Sequence, residues 1–301
     1  MPATAALLPA GVFLLAAMAL TGLLYATLWL LVTRPLRRAP APGLVRAPAH
    51  SSRQNLEALQ HRLCGGAFCL LLLLFIWHLI YQFLLPAEAG AWGVAALAAT
   101  GLLALGWHGQ ALARLAPEYL RLHRDTAAQI ASAPSLDLLM RREYWVFHDV
   151  HVGDRHFHHV VMGLRGVFVA DSLWRRPPGH WQWPGGWVRG DPAADYDGER
   201  LRLADCEETA PLEAVRARAR WLAIYLSRKA GEPIPVQPAI ALPGWRVTAT
   251  DWKRTVVFNP SSPNLLIEAG RDGARLDPYV ARLLVGHLKK AQEKYTDAAR
   301  T

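Results

Sequence analysis

Three apolar runs near the start of this chain limit what it can fold into. Residues 7–32 carry no charge, residues 65–85 read GGAFCLLLLLFIWHLIYQFLL, and residues 91–107 are rich in Ala and Gly. A helix needs about 20 apolar residues to cross the hydrocarbon of a bilayer. The first two runs satisfy this and the third only just does. No Lys or Arg precedes the first run, and it exceeds the apolar stretch of a signal peptide, so it reads as an uncleaved anchor. The linker 86–90 is short, so the second and third runs read as a transmembrane hairpin. Small residues in the third run allow close helix packing; an interfacial or re-entrant segment is the alternative. His78 sits within the second run, where a histidine marks an ion path or bonds a neighbouring helix.

Charge sets the expected orientation. Arg34, Arg37, Arg38, Arg46, Arg53 and Arg62 lie between runs one and two against a single acid, Glu57, and Arg114, Arg121 and Arg124 follow run three. The positive-inside rule puts both regions in the cytoplasm and the N-terminus outside. The expected segments are a transmembrane helix over 1–33, an Arg-rich cytoplasmic loop over 34–64, the hairpin over 65–108, a helical linker over 109–142 and a soluble domain over 143–301. Abundant Ala, Arg and Pro suggest a GC-rich bacterial genome, hence the inner membrane. The net charge of +9 suits anionic lipid or nucleic acid. Three cysteines, Cys64, Cys69 and Cys206, form neither a disulfide framework nor a zinc spacing. The spans hold almost no charge, which leaves a transporter or channel poorly supported.

The linker helix is expected to divide at Pro117 and to give way to a new segment at Pro134. From residue 144 the pattern turns to strands: 144–147, 157–162 and 167–170, with turns at 149–154 and 163–166. Residues 174–200 read as loop, with Pro, Gly and Trp174, Trp181, Trp183 and Trp187. Such Trp residues stack on bases or cover a domain edge. Residues 211–229 form an amphipathic helix with Leu212, Val215, Ala219, Leu222 and Leu226 at helical spacing. Strands over 236–242 and 255–258 and a helix over 279–294 complete an α/β domain with a mixed sheet.

Three pieces of this domain, in order, are WVFHDV (145–150), FHHVVMG (157–163) and RGVFVADS (165–172). With Gly179 and an Ala210-Pro211 helix start, they resemble the nuclease-related domain (NERD) family, a branch of the PD-(D/E)XK nuclease superfamily, over 144–269. The resemblance implies a restriction-endonuclease-like fold and metal-dependent phosphodiester cleavage. In that class an Asp and a Glu hold a divalent ion and a Lys positions the attacking water. Here His158 stands at the Asp, Asp171 at the Glu and Leu173 at the Lys, while the family's helix Gln falls on or next to Ala214. Asp171 and His158 are therefore the candidate catalytic residues of a degenerate site. Arg175 and Arg176 could reach into it, but arginine is a poor base. Arg175, Arg176, Arg216 and Arg220 are the candidate phosphate contacts.

A second constellation competes. His148, His151, His156, His158 and His159 crowd within twelve residues. On a regular strand His156 and His158 share a face, and with Asp171 they could bind a metal. That set suits Zn²⁺ or Mn²⁺; taken together with the nuclease motif, the expected ion is Mg²⁺ or Mn²⁺, with Zn²⁺ ranked after them. Two functions follow: a membrane-anchored, DNA- or RNA-associated NERD-like protein with weak, altered or lost nuclease activity, or a non-catalytic scaffold that binds a protein partner or its own copy.

Overall fold

The computed structural model describes residues 47–80, 91–175, 192–204, 206–249, 251–270 and 275–298. The first apolar run, residues 34–46 of the Arg-rich loop, the hairpin linker, Arg176, Gly179, Trp181, Trp183 and Trp187 lie outside them, as does the side chain of His78. The chain divides into two compact units, one containing Gln54–His123 and the other containing Arg37–Arg53 and Arg124–Thr301.

The first unit holds most of α1 (His50–Leu79) and the larger part of α2 (Ala91–Asp137), whose ends belong to the second. Among the described residues α1 is the one helix long and apolar enough to cross a membrane, over His50–Trp77. Leu56, Leu59 and Leu63 of α1 bury against Tyr119, Leu115 and Leu112 of α2. Farther along, a Cβ on Gly66 would lie 3.2 Å from Leu112, and one on Gly101 would lie 3.0 Å from Trp77. Residues later in α1 meet residues earlier in α2, so the helices run antiparallel, with glycine where they come closest. Away from this seam Phe68, Leu72, Phe75 and Ile76 of α1 and Trp92, Leu102, Leu103 and Trp107 of α2 are exposed.

Neither proline ends a helix as the sequence suggested. α2 runs through Pro117 and Pro134 without a break. A proline inside a helix costs about 3 kcal/mol. Apolar packing on both sides offsets it: Leu115 and Tyr119 flank Pro117, and Ala133 and Leu136 beside Pro134 are fully buried.

The second unit is built on a five-stranded sheet. A short 3₁₀ turn (Leu138–Arg142) leads into β1 (Trp145–Val152), β2 (Arg155–Gly163) and β3 (Gly166–Ser172). These form an antiparallel meander. Gly163 is obligatory, because a Cβ there would lie 2.5 Å from the ring of Tyr144. Three short strands follow, β4 (Ala193–Tyr196), β5 (Leu201–Arg202) and β6 (Glu207–Glu208). Helix α3 (Ala210–Ala230) then crosses back to β7 (Val236–Ala241), which pairs in parallel with β3. β8 (Arg246–Ala249) and β9 (Val256–Phe258), α4 (Asn264–Ala269) and α5 (Pro278–Ala298) complete the unit. The main sheet has the order β1-β2-β3-β7-β9, and β6-β5-β4-β8 form a small second sheet.

Helices cover both faces of the main sheet. On one face Leu212, Val215, Ala219, Leu222 and Leu226 of α3, and Ala281, Leu284 and Leu288 of α5, bury against Phe147, Val160, Val169 and Ile240. On the other face Leu136, Leu139, Leu266 and Ile267 cover Val146, Val161, Phe168 and Ala239. Full burial of each large side chain is worth roughly 1.5–3 kcal/mol. α3 starts with Pro211 in its first turn and ends at Gly231, φ 76°, both favourable termini. The expected loop over 174–200 is only partly loop. Ala193-Ala-Asp-Tyr196 forms β4 because Ala194 and Tyr196 alternate into the core while its backbone pairs with β5 and β8.

Candidate functional site

The polar side chains of interest gather around one irregularity in the β1–β2 ladder. The register pairs His148 with His159 and Val150 with Phe157 but skips Asp149 and His158. Asp149 has φ +53°, a left-handed conformation that few non-glycine residues adopt. The side-chain alternation slips there. Phe147 and Val150, three apart, enter the same core, as do Phe157 and Val160. A slip of one position redirects every side chain beyond it. His156 and His158 nonetheless remain neighbours, with ring centroids 5.6 Å apart, as regular alternation implied, while the slip brings Asp149 and His151 beside His156.

Beyond the slip, toward the hairpin tip, stand Asp149, His151 and His156. Asp149 is fully buried. One carboxylate oxygen accepts hydrogen bonds from the Ser51 amide and hydroxyl, each 2.9 Å. The other lies 2.8 Å from His156 Nε2. His151 and His156 oppose each other in register, with ring centroids 4.5 Å apart. One ligand atom from each of the three residues lies within 4.8 Å of the others, so they form a possible metal-binding triad.

Before the slip, a buried relay runs between α2 and β3. His148 Nε2 lies 2.8 Å from Asp137 Oδ1. His148 Nδ1 lies 2.7 Å from His159 Nδ1, and His159 Nε2 lies 3.0 Å from Ser172 Oγ. With both imidazoles neutral, one arrangement of hydrogens satisfies the chain. His148 Nε2–H donates to Asp137, His159 Nδ1–H donates to His148, and the Ser172 hydroxyl donates to His159. Burial drives the His159 pKa well below its ordinary value, and the neighbouring His148 and His158 add to this.

His158 and Asp171 do approach each other, with Nδ1 and Oδ1 3.9 Å apart. They make no ion pair, because His158 Nδ1 accepts the Ser172 amide hydrogen at 3.2 Å and so carries none itself. Burial lowers the His158 pKa, which keeps it neutral, against a raising contribution from Asp171. The true counter-ion of Asp171 is Arg218 of α3, which donates to Oδ2. Asp171 Oδ1 is buried and has no hydrogen-bond partner among the described residues. Leu173 packs against the larger core. Arg218 lies one helical turn beyond Ala214, so an arginine nobody would choose as a base approaches from where the family's Gln is expected.

The candidate phosphate contacts divide. Arg175 forms a two-pronged ion pair with Glu208. Arg216 donates to Thr255 Oγ1 at 2.9 Å, Tyr196 Oη at 3.1 Å and the Gly198 carbonyl at 2.7 Å. Both are committed within the fold. Arg220 is exposed on α3. Asp137, Asp149, Ser172 and Arg218 were not expected from the sequence. An Asp between apolar strand residues, as in Phe147-His-Asp-Val150, is the one signal that could have pointed to Asp149, since a buried charge needs partners.

No protein-family model matches this chain, and no curated protein or solved structure matches it.

Proposed function

We propose that this chain is a NERD-like protein of the bacterial inner membrane, associated with nucleic acid, whose nuclease chemistry is lost. The observation that carries the loss is the ion pair between Arg218 and Asp171. A nuclease of the class implied by the resemblance needs carboxylate oxygens for Mg²⁺ or Mn²⁺ and a lysine beside the attacking water. Here one carboxylate is present and one of its oxygens is held by a guanidinium. The nearby His158 nitrogen accepts a backbone hydrogen, and Leu173 is packed in the core. This donor set does not fit Mg²⁺, so no cleavage step is assigned to it.

A restriction-endonuclease-like fold is supported by the three-strand meander followed by a helical crossover to a parallel strand. The membrane block of several spans is supported by the apolar length of α1 and by the exposed apolar side chains along the first part of α2. The Arg-rich loops favour a cytoplasmic C-terminal domain and an outside N-terminus. Nucleic-acid association rests on the net charge of +9 and on the resemblance. A second reading, a scaffold that docks a protein partner, is favoured by the internal pairing of Arg175 and Arg216.

The test uses the full chain in lipid nanodiscs with linear and supercoiled DNA and with RNA. Cleavage is expected to be absent with Mg²⁺ or Mn²⁺, also after His158→Asp with Leu173→Lys. Binding by fluorescence anisotropy should weaken steeply with salt. Metal-dependent cleavage that vanishes in Asp171→Ala would refute the loss of activity. No salt-dependent binding would replace nucleic acid with a protein partner.

A further inference from the structure

We propose that Asp149, His151 and His156 bind a divalent transition-metal ion of the zinc class at the tip of the β1–β2 hairpin. The ligands differ from the pair His158 and Asp171 that the nuclease resemblance singles out, although the His156 ring lies 5.6 Å from that of His158, and the site does not depend on that resemblance.

The backbone is arranged to bring the three donors together. His151 and His156 are direct cross-strand partners, so their rings meet without any loop to position them. Asp149 stands two residues before His151, on the far side of Val150, which fills the core. The left-handed backbone at Asp149 sets the alternation for everything beyond it and so puts its carboxylate beside both rings.

Buried carboxylates need compensation. Asp149 is fully buried and is anchored on one oxygen by the amide and hydroxyl of Ser51, each at 2.9 Å. A hydrogen-bonded carboxylate of this kind is how metal sites orient their ligands from behind. The other oxygen faces His156 Nε2 at 2.8 Å. Ligand atoms around a tetrahedral zinc stand about 3.3 Å apart, given bonds of about 2.0–2.1 Å. The three donors already lie within 4.8 Å of one another, so small side-chain rotations close the shell. In the metal-bound form the ion takes the place of the hydrogen between His156 and Asp149.

The donor set selects the ion. Two imidazoles and one carboxylate suit Zn²⁺, Co²⁺ or Ni²⁺, whereas Mg²⁺ prefers an all-oxygen shell. Three protein ligands leave a fourth position for water. The His156 side chain is 32% exposed and His151 is half-buried, so an ion can reach both rings from solvent.

The experiment uses untagged full-length protein in detergent, stripped with a chelator. Zn²⁺ is titrated by calorimetry, and Co²⁺ is followed by its visible absorption. One equivalent should bind the wild type, with a tetrahedral Co²⁺ spectrum. His151→Ala and His156→Ala should each weaken binding by about 100-fold or more and abolish the spectrum, since even residues behind the ligands contribute 10–100-fold. Both histidines are partly exposed, so these variants should fold; circular dichroism checks this, whereas Asp149→Ala could simply unfold. His287→Ala, on α5 and outside the cluster, should leave binding unchanged. The proposal fails if the wild type binds no stoichiometric ion or if both histidine variants bind as well as the wild type. It also fails if His158→Ala loses the ion while His156→Ala keeps it.

Discussion

Lowering the pH should loosen this fold through His159, and the size of the effect follows from where that ring sits. His159 is fully buried and bonded to His148 and Ser172. Burial, with neighbouring His148 and His158, holds its pKa well below 6.5. In the unfolded chain the ring regains an ordinary value near 6.5. Above that pH both states hold the ring neutral and its titration contributes no difference. Below it the unfolded state takes up a proton that the folded state refuses, so stability falls with pH until the folded ring also titrates. The loss reaches roughly 1.4 kcal/mol at pH 5.5, and the slope below that is about 1.4 kcal/mol per unit. Urea unfolding of the full chain in detergent, followed by tryptophan fluorescence between pH 7.5 and 5, measures the slope. His159→Gln should be less stable at every pH yet lose about one proton's worth of slope. An unchanged slope in that variant would refute the assignment of a buried neutral ring. So would a wild type as stable at pH 5.5 as at pH 7.5.

Three other outcomes are expected. Arg218→Met should cost about 2 kcal/mol in urea unfolding; this is less than for a fully buried pair, because the guanidinium is partly exposed. Adding Asp171→Asn should recover most of that cost, and a double-mutant cycle measures the coupling. Gly163→Ala should destabilise by roughly 1–3 kcal/mol, since the new methyl meets the Tyr144 ring at 2.5 Å; its thermal melting point reads this directly. Ser51→Ala should weaken Zn²⁺ binding about 10-fold in the calorimetric titration, because it removes one of the two Ser51 bonds to Asp149.

Much of the scaffold was legible because its signals are local and periodic. The meander strands are marked by runs of Val and Phe between glycine turns, and α3 by five apolar residues at helical spacing that are all buried. The small second sheet was not legible. β4, β5, β6 and β8 have two to four residues each. Strands that short carry too little pattern to stand out, and they exist because partners distant in sequence pair with them. The prolines misled in the opposite way. Pro117 and Pro134 weaken a helix locally, but burial contacts on either side decide the outcome.

The histidine cluster shows why residue type alone could not assign the site. Five histidines lie within twelve residues, and period-two alternation places His156 with His158 and sets His159 apart. One residue, Asp149 at φ +53°, complicates that rule without separating His156 from His158. It sorts the group into His148 and His159 on a buried relay, His151 and His156 around a carboxylate, and His158 beside Asp171 with its ring 5.6 Å from that of His156. The strain of a left-handed Asp inside a strand costs on the order of 1–3 kcal/mol and persists only where the surroundings over-determine it. Here the Ser51 bonds and the His156 contact supply that determination. Such outliers gather at functional sites, so the strained residue and the metal-binding triad point to the same place. That place adjoins the residues a nuclease would use, because the His156 ring lies 5.6 Å from that of His158.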